Sequence, residues 1–276
     1  MLRLVIFALC FLSANLSARE VEVQITPDVP GLLVVPATQK GERRAVLLLH
    51  GWNSQMNEVG DLYQNLASRL EDEGIASLRI SFSGEGAQSN YVVTATFDSR
   101  IMEAKKAFEF LKQRYPDATY GVVGFSLGGL TAMGILDEYA DAFQSVVLWS
   151  AAEQMRINGD PAYDKAAMKA MREGRAVYKD FTDITLTREH LSSFVGVDVH
   201  HNLRLYQGSL LSIRGDQDFL PSRERNWFAI SPSTDKSFLL LGGANHIFNV
   251  LDVPQPGYPA RLLDATTGWL VRTLEP

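Results

Sequence analysis

The residues with the clearest chemical potential are Gly124-Phe125-Ser126-Leu127-Gly128, followed by a further glycine at Gly129. The run before them, Tyr120-Gly121-Val122-Val123, is short, apolar and β-branched and reads as a buried strand; residues 130–136 after them are small and helix-compatible. A Gly-x-Ser-x-Gly pentad between strand and helix makes a turn so tight that the serine takes a strained conformation and only glycine fits beside it. The Ser126 hydroxyl then projects above the sheet edge, where the N-terminus of the next helix favours developing negative charge. That is the setting of a nucleophile. Without partners the same residues would be only a glycine-rich turn, so the reading depends on what else the chain supplies.

An activated serine needs a general base and a group that orients the base. On an α/β sheet both should come from loops after later strands, in the order serine, acid, histidine. Strand 210–213 runs into Arg214-Gly215-Asp216-Gln217-Asp218-Phe219-Leu220-Pro221, and strand 238–241 into Gly242-Gly243-Ala244-Asn245-His246. His246 is the last of five histidines and the only one directly after a late strand, which makes it the expected base. The acid is Asp216 or Asp218. Asp216 directly follows Gly215 and could simply cap the turn; Asp218 stands one step further out, where the loop can bend toward His246, and is favoured by the spacing of this motif class. The oxyanion needs two amide donors. One is expected from Leu127, immediately after the nucleophile, and the other from Trp52, in the loop His50-Gly51-Trp52-Asn53-Ser54 after the third strand. His50 reads as a structural loop histidine rather than a second base.

These residues need a scaffold, and the hydropathy pattern describes one. Residues 20–25 alternate polar and apolar and pair as a hairpin with 32–35, across 27–31. Runs 45–49, 75–82, 145–149, 209–213 and 237–241 read as sheet strands. Stretches 57–73, 97–115 and 260–274 read as helices, the first ending at Gly74 and the second stopped by Pro116. Strands alternating with helices imply an α/β fold with a mostly parallel central sheet and helices on both faces. The pattern breaks at about 151–206, where 160–178 is helix-like and the rest is mixed and loop-rich. That block reads as an inserted cap or lid over the sheet edge, or else as a surface excursion unrelated to substrate. Within it Tyr163, Phe181 and Phe194 are expected to line an acyl or alcohol pocket in part, the alternative being that they anchor the lid to the sheet.

The chain of 276 residues is 46% hydrophobic and 21% charged, ordinary for a globular protein, and its net charge of −6 argues against a nucleic-acid footprint. Residues 1–18 combine a short positive start, an apolar run at 4–12 and a small, polar stretch before Arg19. This layout predicts a secretory signal peptide cleaved after Ala18, with Ala14 the alternative, and the apolar run is too short to span a bilayer. Processing would remove the single cysteine, Cys10, and, with Arg3, take the net charge from −6 to −7. The expected product is a periplasmic or secreted domain, residues 19–276, with no disulfide and no stable membrane span.

Taken together, His50-Gly51-Trp52, Gly124-Phe125-Ser126-Leu127-Gly128, Gly215-Asp216-Gln217-Asp218 and Ala244-Asn245-His246 resemble the α/β-hydrolase family of serine esterases. Residues 78–89, Leu-Arg-Ile-Ser-Phe-Ser-Gly-Glu-Gly-Ala-Gln-Ser, agree with the family's Arg-x-Asp-x-x-Gly-x-Gly-x-Ser segment after the fourth strand. The nearest likeness is to the lid-bearing cinnamoyl/feruloyl esterase and serine-aminopeptidase-like branch, over about residues 30–275. Two positions depart from that branch: Ser81 stands where it often has aspartate, and Glu85 where it often has histidine, so contacts in that loop should differ. The resemblance implies an α/β-hydrolase fold with an inserted lid and a carboxylesterase that forms an acyl-enzyme on Ser126. Its partner would be a small-molecule ester or acyl substrate, with no metal or organic cofactor required. Peptidase, amidase and thioesterase activities share this machinery, and an idle hydrolase fold serving as a binding protein is the alternative of another class. Haloalkane or epoxide chemistry is disfavoured, because those relatives attack with an aspartate where Ser126 stands.

Overall fold

The computed structural model describes residues 19–37, 43–153, 160–180 and 182–275. The expected signal peptide, 1–18, and Phe181 lie outside the described residues. In chain order the elements are β1 (Arg19–Thr26), β2 (Val29–Val35), β3 (Arg44–Leu49), α1 (Leu62–Asp72), β4 (Ala76–Ile80), β5 (Val92–Val93), α2 (Phe97–Arg114), β6 (Thr119–Phe125), α3 (Leu127–Gly134), α4 (Leu136–Tyr139) and β7 (Phe143–Trp149). They continue with α5 (Pro161–Glu173), β8 (Arg175–Lys179), β9 (Asp183–Thr187), α6 (Arg188–Ser193), α7 (His200–Leu203), β10 (Ser209–Gln217), α8 (Glu224–Ile230), β11 (Lys236–Asn245) and α9 (Tyr258–Thr273).

Eight strands form one sheet in the order β1-β2-β4-β3-β6-β7-β10-β11. β2 runs antiparallel to both β1 and β4, and every pairing from β4 to β11 is parallel. The continuous apolar runs of the central strands follow from burial on two faces. In β3, Ala45, Leu47 and Leu49 join one core with Phe108, Val122 and Leu148, while Val46 and Leu48 join the opposite core with Tyr63, Val123 and Trp149. Helices α2 and α3 cover the first face, α1 and α9 the second. This is the α/β-hydrolase fold, with β6, the strand that runs into Ser126, in the middle of the sheet.

The block after β7 adds a smaller unit. A three-stranded sheet, β5-β9-β8, packs with α5 around Val93, Tyr163, Tyr178, Ile184 and Leu186. β5 comes from the loop after β4 and pairs parallel to β9, so the cap recruits a segment about ninety positions upstream. The expected helix over 160–178 ends earlier, at Glu173. Gly174, at φ 93°, stops it in a conformation unfavourable for other residues. Residues 175–179 then alternate exposed and buried as strand β8, a period of two that a helical reading overlooked.

Candidate active site

At the end of β6 the chain turns so sharply that Ser126 adopts φ 50° and ψ −115°. Its N–H donates to Trp149 O at 2.8 Å and its carbonyl accepts from Ala152 N at 2.9 Å, so neighbouring β7 holds the strained residue in place. Gly128 has no alternative: a Cβ there would lie 1.9 Å from Leu49 O, because the first turn of α3 crosses over the end of β3.

His246 follows β11 in a turn organised by Asn245, whose Oδ1 accepts from the amides of Ile247 (3.1 Å) and Asn249 (2.8 Å). A second close approach brings the two late loops together: a Cβ on Gly215 would fall 1.9 Å from Ala244 O. As a result Asp218 Oδ1 is 2.8 Å from His246 Nδ1, and His246 Nε2 is 3.0 Å from Ser126 Oγ. A carboxylate can only accept, so Nδ1 carries the proton and Nε2 is left to accept from the serine hydroxyl. Asp218 Oδ1 also accepts from Leu220 N at 2.9 Å, and Oδ2 lies 3.2 Å from Arg214 as an ion pair without hydrogen-bond geometry. Burial alone would raise the Asp218 carboxyl. The His246 hydrogen bond and charge, the Leu220 amide and Arg214 together outweigh it and hold the pKa below the ordinary value. Asp216 does something else: its Oδ1 accepts from Gly243 N at 2.7 Å on the exposed edge. The geometry therefore joins Ser126, His246 and Asp218, and leaves Asp216 tying β10 to Gly243 on β11.

Leu127 is the first residue of α3, where an amide has no partner within the helix. Trp52 sits in the loop after β3, between two amides that are both tied to carboxylates. Gly51 N donates to Glu58 Oε2 at 2.6 Å, and Asn53 N donates to Glu85 Oε2 at 2.9 Å. Glu58 also accepts from Ser54 Oγ (2.7 Å) and Val59 N (2.8 Å); burial pushes its carboxyl up despite these donors. Ser81 contributes as well, its Oγ accepting from Met56 N at 3.0 Å. The positions that depart from the esterase pattern, Ser81 and Glu85, are thus both used to hold this loop. His50 is structural, as its sequence context suggested. Phe82 N donates to its Nε2 (3.0 Å), so Nδ1 is the protonated nitrogen and donates to Gly51 O (2.7 Å). Burial, aided by the charge of Arg100, lowers the His50 pKa to about 4, against smaller opposing effects of Glu85 and Gly51.

A cleft of about 470 Å³ opens over Ser126 and His246. Trp52, Tyr91, Phe125, Phe219 and Ile247 give it an apolar lining, and Asp180, Thr182 and Ile184 of the cap form one wall. Phe219, with its ring centroid 4.4 Å from that of His246, was not singled out from sequence, although it directly follows Asp218. Two expected lining residues are elsewhere. Tyr163 is buried in the cap core, edge-on to Tyr178 and Trp52. Phe194 packs against Phe97 of α2 and His190, anchoring the cap to the hydrolase core. Tyr163 faces inward because α5 has an apolar face to bury against the cap sheet, and Phe194, just past the end of α6, because it packs on Phe97 of α2. Grooves of about 630 Å³ beside α2 and 780 Å³ between α5 and α6 are larger, but neither contains residues of this cluster.

Comparison with known proteins agrees with this architecture. The chain superposes on Est1E from Butyrivibrio proteoclasticus with a TM-score of 0.68 and 14% identity, covering 92% of this chain and 98% of that one. For a highly thermostable carboxyl esterase from Bacillus coagulans the TM-score is 0.70 at 13% identity, with coverages of 94% and 99%. For the monoacylglycerol lipase of Paleococcus ferrophilus it is 0.65 at 18%, with 84% and 96%. At such identities the likeness is one of fold. No curated protein sequence matches the chain significantly. The family model described as serine aminopeptidase, S33, matches residues 40–195, a span that takes in Trp52, Ser126, Leu127 and much of the cap and stops before Asp218 and His246. Because that match covers more than half of the chain, and the sheet order and elbow agree with it, the protein belongs to the serine aminopeptidase S33 family of α/β-hydrolases.

Proposed function

We propose that the protein is a carboxylesterase that cleaves carboxylic esters through an acyl-enzyme on Ser126. The observation that carries this reading is the unbroken line Ser126 Oγ, His246 Nε2, His246 Nδ1, Asp218 Oδ1, with steps of 3.0 and 2.8 Å, beneath an apolar cleft. As Ser126 Oγ bonds to the ester carbonyl carbon, its proton passes to His246 Nε2 and the carbonyl oxygen becomes an oxyanion. The amides of Leu127 and Trp52 stabilise that charge. His246 then protonates the alcohol as the C–O bond breaks, and a water activated by the same nitrogen hydrolyses the acyl-enzyme. Asp218 holds the imidazole in its working tautomer and stabilises the imidazolium.

The apolar part of the lining, Trp52, Tyr91, Phe125, Phe219 and Ile247, suits an ester's acyl chain. An amino-terminal ammonium needs a carboxylate to receive it; of the two that line the cleft, Glu58 already accepts from Gly51, Ser54 and Val59, and Asp180 stands on the cap wall, so the ester series decides between the two substrate classes. The family's peptidase, the amidase and the thioesterase readings remain outcomes of the test. Hydrolysis of p-nitrophenyl esters of rising acyl length is measured with the wild-type protein and Ser126→Ala. Activity lost in the variant supports the proposal; fluorophosphonate labelling of Ser126 without ester turnover would redirect it to amides or thioesters. The absence of both turnover and labelling would leave an idle fold. The layout of residues 1–18 supports export to the periplasm or beyond, and a mature chain beginning at Arg19 by mass spectrometry is the expected product.

A further inference from the structure

The two oxyanion donors stand on different elements, Trp52 on the loop after β3 and Leu127 at the start of α3. They can serve one oxygen only if their separation is held constant. We propose that Arg100 is the positioning residue that couples the two halves of the oxyanion hole, an inference that rests on the esterase reading above.

Arg100 is on α2 and fully buried. Its guanidinium makes three bonds, in three directions. Nη2 donates to His50 O at 2.7 Å, two residues before Trp52. Nη1 donates to Glu85 Oε1 at 2.6 Å, while the other oxygen of Glu85 accepts from Asn53 N, one residue after Trp52. Nε donates to Thr131 Oγ1 at 3.1 Å, and that hydroxyl donates in turn to Leu127 O at 3.0 Å. One rigid, planar group therefore grips the Trp52 loop on both sides and reaches, through one hydroxyl, the carbonyl of Leu127, the residue whose N–H is the second donor. The guanidinium carbon lies 3.9 Å from the centroid of the Phe82 ring, which blocks it from swinging away. Glu85 is also fully buried and pairs with this guanidinium, so removing either partner would leave the other without its counter-charge in the core. The departure at position 85 and the arginine at position 100 thus form one device. Lysine cannot replace it, since an ammonium is a point charge without the fork that reaches three acceptors.

A buried ion pair could serve stability alone, and the test separates the two roles. Wild type, Arg100→Lys and Thr131→Val are compared for urea midpoint, rate of Ser126 labelling by a fluorophosphonate, and kcat and KM on p-nitrophenyl butyrate. Labelling needs the serine and the oxyanion hole but no particular substrate class. Arg100→Lys should lose roughly 10- to 100-fold in kcat and in labelling rate, with KM changed by less than about 3-fold, because only the transition state uses the misplaced donor. Thr131→Val keeps the Arg100–Glu85 pair but removes the acceptor of Arg100 Nε together with the link to Leu127. Its urea midpoint should fall modestly, because a buried donor loses its partner, and the folded protein should label roughly 3- to 10-fold more slowly. Wild-type labelling rates in both folded variants would overturn the proposal; if Arg100→Lys does not fold, Thr131→Val decides alone. Wild-type protein that is labelled but turns over no ester refutes the esterase reading while the labelling rates still judge Arg100. Wild-type protein that resists labelling refutes both.

Discussion

The loop that carries Trp52 contains a proton balance that a stability measurement can read. His50 is fully buried, and its pKa falls from 6.5 to about 4 on folding, first through burial and then through Arg100. In the unfolded chain His50 takes up a proton near pH 6.5, whereas in the native state it stays neutral until about pH 4. Stability rises with pH wherever the unfolded state binds more protons, so the contribution is fully present above pH 6.5 and is lost as pH falls toward 4. A gap of about 2.5 pKa units at about 1.4 kcal/mol each corresponds to about 3 kcal/mol in full, and about 2 kcal/mol of that is lost between pH 7 and 4.5. Glu58 and Glu103 have carboxyl pKa values raised by burial and bias stability the other way, so a wild-type curve alone would mix the effects. The comparison is therefore with His50→Gln, which offers an acceptor to Phe82 N but does not titrate. Urea midpoints are measured for both proteins at pH 7 and 4.5. The wild-type midpoint should fall by on the order of 0.5–1 M more than that of the variant. Parallel shifts in the two proteins would refute the argument, because His50 would then not be held neutral by the fold.

Asp218→Asn should lower kcat roughly 10³- to 10⁴-fold through loss of the working imidazole tautomer, while Asp216→Asn stays within a few-fold of wild type; steady-state ester kinetics on both checks the assignment. In the cap, Tyr163→Ala should cost about 3 kcal/mol and lower Tm by on the order of 10 °C without altering the acyl-length profile, because the ring is a core element. Thr182→Trp, on the cleft wall, should shift preference toward shorter acyl chains by roughly tenfold in relative kcat/KM with little change in Tm.

What the sequence determined by itself was local or nearly so. Gly128 is dictated by the backbone crossing beside it, and the strained Ser126 by the turn it occupies, so strand, pentad and helix announce the elbow without help from distant residues. The central strands were legible because burial on both faces leaves unbroken apolar runs, and the late loops because Asp218 and His246 each follow such a run. Even the choice between Asp216 and Asp218 could be argued, since Asp216 still belongs to strand β10 whereas Asp218, two positions on, stands past its end where the chain turns away. What only tertiary structure decided depends on pairing between distant segments. Nothing near Val92 and Val93 foretells a parallel partner at Thr185 and Leu186, so the cap sheet was missed, and residue type alone left open whether Tyr163 lines the pocket or anchors the cap. Sequence could mark Glu85 as a departure, but its meaning came from Arg100, one turn into α2 and brought beneath the Trp52 loop only when α2 packs on the sheet. A buried charge is tolerable only beside its partner. That partnership is a property of packing, which residue type and spacing along a chain do not specify.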